Sequence, residues 1–150
     1  MWRPHAGLLF VCAVMIGAHL DEPLSSAVQL LGWSGDDVPQ IDVVSDRPAD
    51  RTRTAEAWVQ LDPDGRAVPV IHLRADTDVY RDARTGDYQA LVRLAGILTH
   101  ERWHLRHGPD EVGAYAAQLS TMTYLHANGT RLAEIRRAFQ QVSRGPVPLR

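Results

Sequence analysis

The sequence predicts a compact α+β fold, with a small antiparallel sheet packed against several helices, on three observations. The tetrapeptide Asp62-Pro63-Asp64-Gly65 is strong turn chemistry between two β-prone runs. After it, apolar residues recur at helical spacing. Two breaks, Gly108-Pro109 and Asn128-Gly129, then divide this helical part into three. A chain of 150 residues suits a single domain with one core. Its net charge of -2 argues against nucleic acid as a partner. All 16 basic residues are Arg, which reads as coding bias and carries no functional weight.

Residues 1–20 read as a signal peptide or N-terminal hydrophobic segment. Arg3 and His5 make a short basic start, Ala6 to Ala18 is an apolar run of about thirteen residues, and Gly17-Ala18 is a small-residue end. The run is short for a bilayer span. The expected location is therefore secreted or periplasmic, with membrane anchoring only if the segment is not cleaved. A buried first helix is the alternative. Cys12, the single cysteine, lies inside this run, so the mature domain, expected over 21–145, has no disulfide and no thiolate ligand.

Leu24, Val28, Leu30, Leu31 and Trp33 predict one amphipathic helix within 22–40, ended by Gly32 to Asp37. Ile41-Asp42-Val43-Val44 reads as a short strand, and Ser45 to Thr54 as a polar connection. Trp58 to Leu61 and Val68 to Leu73 are the two strands of the turn-linked pair. Pro69 predicts an edge position for the second, because it cannot donate to a central ladder. His72 on that strand reads as a packing or surface residue. Asp76 to Asp87 is expected as a loop, with Asp87 capping the next helix. Thr130 starts the last helix, with Leu132, Ile135, Phe139 and Val142 inward, and 146–150 is a tail.

Chemistry concentrates in Thr99 to Glu111. His100-Glu101-x-x-His104 is the H-E-x-x-H spacing. On a helix the two imidazoles stand roughly 40° apart around the axis and about 6 Å along it, so both can converge on one ion. Glu101 is on the flank, where a general base would stand. Leu91, Leu94, Leu98 and Leu105 form the adjacent apolar stripe, with Arg102 and Arg106 on the far side. Beyond the Gly108-Pro109 corner, Glu111, Ala114, Tyr115, Gln118, Met122 and Leu125 share one face of the next helix, expected from Asp110 to about His126. Glu111 is then a carboxylate on a largely apolar, inward face, and a metal ion is the obvious partner for it. Asp110 and His107 remain alternatives for the third ligand.

His100-Glu101-x-x-His104 followed by Glu111-x-x-Ala114 resembles the gluzincin pattern of zinc metallopeptidases. The resemblance covers about thirty residues of a compact zincin-like domain. Tyr115 stands where many relatives carry Asp, and the gap from His104 to Glu111 is shorter than in thermolysin-like enzymes. A metzincin-like variant would instead use Asp110. The resemblance implies Zn2+ held by His100, His104 and Glu111, with Glu101 activating a zinc-bound water to hydrolyse a peptide bond. Peptide or protein is then the substrate, the segment Val70 to Arg74 the strand that pairs with it, and a partner protein a further possibility for so small a domain. Tyr115, Tyr124 and His126 are the candidate oxyanion donors. His107 reads equally as a helix C-terminal cation or as a support for the ligands. The alternative function is a non-catalytic domain stabilised by a structural zinc at the same ligands.

Overall fold

The structure, a computed structural model, describes residues 20–45 and 55–145. The N-terminal segment, nearly all of the polar connection and the C-terminal tail expected from the sequence lie outside those residues. Five helices and three strands form an α+β domain: α1 Glu22–Leu30, β1 Gln40–Val44, β2 Ala57–Leu61, β3 Ala67–Arg74, α2 Asp78–Arg84, α3 Tyr88–His107, α4 Glu111–Tyr124 and α5 Gly129–Ser143.

The sheet is mixed, which corrects the antiparallel expectation. Its order is β1-β3-β2, with β1 parallel and β2 antiparallel to β3. The strand carrying Pro69 is therefore central, against the edge position that proline predicts. The ladders show why it is tolerated. The parallel register begins only at Gln40 opposite Val70, and the antiparallel register slips between Val59 and Leu61, so Pro69 falls where neither neighbour requires a regular backbone donor. In consequence β2, not Val70 to Arg74, is the edge strand beside the helices.

Ile71 and Leu73 on one face of β3 are fully buried, together with Leu94, Ala95 and Leu98 of α3. Leu24 and Ala27 of α1 and Val79 and Tyr80 of α2 complete that core. On the opposite face, His72 stacks on Trp58 with ring centres 5.3 Å apart and approaches Asp42, as its packing reading expects.

The expected loop at 76–87 contains α2. Only seven residues long, and mostly polar, it shows no extended apolar period; Thr77 caps it, and Val79, Tyr80 and Ala83 turn inward. Asp87 caps α3 as expected, accepting from the Ala90 N–H at 2.7 Å. Asn128 does not stop α4. That helix ends in a Schellman arrangement, with Ala127 N–H bonded to Met122 C=O and His126 N–H to Thr123 C=O, and His126 rather than glycine takes the left-handed conformation at φ 56°. Asn128 instead caps α5 through the Arg131 N–H, and the helix begins at Gly129. The inward residues expected on α5 are only half-buried, because that helix lies along an open cleft.

Candidate metal centre

α3 carries His100, Glu101 and His104 on its cleft side, and the chain then turns back through Gly108. This residue takes φ 71°, a conformation that favours glycine, and its N–H closes the helix on His104 C=O. Pro109 stands before the cap, outside α4 and not in its first turn. Asp110 is the cap itself, accepting from Gly113 N–H at 3.0 Å and from the Trp103 indole N–H at 3.1 Å. Those bonds hold its carboxyl below the ordinary range, the Gly113 N–H contributing most. Asp110 is thus occupied at the corner, and Glu111, one residue on, reaches the histidines.

The Nε2 atoms of His100 and His104 are 3.2 Å apart, and the Glu111 carboxylate straddles them, with Oε2 3.5 Å from His100 Nε2 and Oε1 3.5 Å from His104 Nε2. Ligand atoms bound to a tetrahedral zinc at about 2.0–2.1 Å stand about 3.3 Å from one another, close to the spacing of the two nitrogens and to each nitrogen's nearest carboxylate oxygen, and one ligand atom from each residue lies within 4.8 Å of the other two. The opposite ring nitrogens agree. His104 Nδ1 lies 2.8 Å from the Gly108 carbonyl, which can only accept, so that nitrogen carries a proton and the tautomer selected is the one that leaves Nε2 to face the cluster. His100 Nδ1 lies 3.2 Å from Gln118 Oε1. Burial, reinforced by the neighbouring His104, pushes the His100 pKa down to about 4, so the ring is neutral at pH 7. Two imidazole Nε2 atoms and a carboxylate thus converge on one point, an arrangement that a dication stabilises. Among the described residues these three form the group able to hold a metal ion.

Glu111 departs from its expected burial: its side chain is 54% exposed, at the mouth of the cleft, while the histidines are 12% and 11% exposed. Glu101 is buried, at 7% exposure, and lines the same cleft. The cleft, of about 1000 Å³, runs between β2, α3, α4 and α5. All of Ala57 to Leu61 contribute to it. Consecutive residues of a strand point to alternate faces, so their joint presence means that the cleft follows the strand's edge.

Tyr115 joins the site, its ring 4.6 Å from that of His100 and edge-on to it. Burial first, and then the Glu111 and Glu101 carboxylates, raise its pKa, so its hydroxyl keeps its proton. Tyr124 and His126 do not line this cleft. His107 is exposed and packs on Trp103 at 4.1 Å, outside the cluster. Arg102, expected on the far side, is not simply solvated there: it pairs with Asp37 at 2.9 Å and lies over the Trp33 ring. Sequence reasoning missed two contributors. The Gly108 carbonyl left no signal, being backbone. Gln118 left one, as a polar residue two turns beyond Glu111 on an otherwise apolar face. The Arg93–Glu56 ion pair, 2.7 Å long, also lines the cleft, two turns before His100. Comparison with known proteins found no match to this chain among family models, curated proteins or solved structures.

Proposed function

We propose that this chain is a zinc-dependent peptidase of the compact zincin kind, with His100, His104 and Glu111 as the metal ligands and Glu101 as the general base. The observation that carries the reading is the ligand cluster, two imidazole nitrogens 3.2 Å apart with one oxygen of the Glu111 carboxylate 3.5 Å from each, opening onto a cleft that also contains the buried Glu101. Bound zinc supplies a Lewis acid that lowers the pKa of water and polarises a carbonyl. Glu101 takes the proton from the attacking water and delivers it to the departing amine. The Tyr115 hydroxyl donates a hydrogen bond to the carbonyl oxygen as negative charge develops there. The cleft-lining edge of β2 hydrogen-bonds an extended peptide, and the cleft walls select its side chains.

The half-exposed Glu111 and the open cleft beside the cluster favour catalysis over a structural zinc, which is ordinarily closed by four protein ligands. Export belongs to the same proposal and rests on the N-terminal composition; among the described residues no helix is long and apolar enough to cross a membrane. The test is zinc content by mass spectrometry together with cleavage of a random peptide library. Wild-type protein is expected to hold one zinc per chain and to cleave. Glu101→Gln is expected to hold the same zinc and to lose on the order of 10²–10⁴-fold in turnover, since the amide cannot accept a proton. Undiminished cleavage by that variant refutes the mechanism.

A further inference from the structure

We propose that Gln118 is a positioning residue for the metal centre, its side-chain carbonyl holding His100 in the tautomer and ring orientation that aim Nε2 at the point shared with His104 and Glu111. The inference rests on the metal ligation proposed above and deepens it.

Three observations support it. Gln118 Oε1 is 3.2 Å from His100 Nδ1. Gln118 is only 5% exposed, and the buried polar or charged residues among those described are Glu101, His104 and Gln118, all at this one site. Finally, Glu111 and Gln118 are seven residues apart, two turns of α4, so the face that supplies the third ligand also supplies the acceptor behind the first. Gly96 of α3 lets the two helices approach closely enough for this contact: a Cβ there would stand 2.7 Å from Met122 Cγ of α4.

The two histidines are thereby held by different means. His104 is fixed by a main-chain carbonyl, which no side-chain substitution removes, whereas His100 is fixed by a side chain that can be replaced. A buried amide has few ways to satisfy its oxygen, so the ring it faces loses rotational freedom. Being neutral, Gln118 orients His100 without adding a negative charge to the Glu101 and Glu111 carboxylates. A carboxylate at the same place would orient the ring as well and attract the cation besides.

The experiment compares the full-length wild-type chain with Gln118→Leu and Gln118→Glu. Zinc affinity is read by competition with a chromophoric chelator, folding by circular dichroism, and the His100 tautomer of the metal-free wild type by nitrogen-15 NMR. Expected are a roughly 10–100-fold loss of affinity in Gln118→Leu, affinity equal to or above wild type in Gln118→Glu, and a proton on Nδ1 of His100. Folded Gln118→Leu within twofold of wild type, a loss in Gln118→Glu as large as in Gln118→Leu, or a proton on Nε2 would each overturn the proposal. The NMR measurement decides even if Gln118→Leu does not fold. Wild-type protein that binds no zinc defeats the metal reading itself. Wild-type protein that binds zinc and cleaves nothing defeats only the peptidase reading.

Discussion

Gly113→Ala tests the corner that positions the candidate metal ligands, because two physical effects predict opposite signs. Gly113 is in the first turn of α4, and alanine in a helix is worth up to about 1 kcal/mol over glycine. Against this, a Cβ at position 113 would collide with the Trp103 indole and the Asp110 carboxylate. The carboxylate end can swing aside, at the loss of its bonds to the Gly113 N–H and the Trp103 indole N–H. The indole is a rigid bicycle packed at a tilt against His107, and moving it aside forfeits that contact and its bond to Asp110. Overpacking of this kind costs about 1–3 kcal/mol. The collision outweighs the propensity gain, so Gly113→Ala should be destabilised by about 1–2 kcal/mol in urea titration of the metal-free protein. Since Glu111 is the first residue of the displaced helix, zinc affinity should fall more than tenfold in the same sample. A variant as stable as wild type or more so, with unchanged affinity, would show that Trp103, Asp110 and Gly113 do not fix the position of Glu111.

Metal-free protein should lose stability as pH falls from 6.5 toward 4. Unfolded His100 takes up a proton in that window and folded His100, with its pKa near 4, does not, a difference of about 3 kcal/mol; His100→Asn should flatten that part of the urea-midpoint profile. Glu111→Ala should lose zinc by roughly 100-fold or more, whereas Asp110→Ala should lower the melting temperature and keep the ligand set; the reverse pattern in a chelator competition would make Asp110 the third ligand. Tyr80→Phe removes the bond from a phenol that is 1% exposed to Asp21, at the start of α1, and should cost about 2 kcal/mol in thermal or urea unfolding with zinc binding unchanged. Tyr115→Phe should retain zinc while turnover falls by on the order of 10²-fold, and an unchanged rate would remove it from the mechanism.

Local rules made much of this molecule legible without coordinates. The H-E-x-x-H spacing put two imidazoles on one side of a helix, glycine ended that helix where it was expected to end, and Asp87 capped its start, because capping, helical period and glycine's tolerance of positive φ operate within a few residues. The Asp62-Pro63-Asp64-Gly65 turn likewise joins β2 and β3 as its composition predicted. The short α2 was hidden because seven residues hold too few apolar positions to reveal a period. Tertiary structure alone decided the rest. Pro69 became central because β1 returned to pair in parallel with β3 and made no demand on that residue, a contact between segments some thirty residues apart. Asp110 and Glu111, adjacent and chemically alike, were separated by the Trp103 indole, which draws one carboxylate to the corner and leaves the other for the histidines. Which carboxylate could serve a metal was therefore settled by contacts between α3 and α4, and those depend on side chains of the two helices meeting across space.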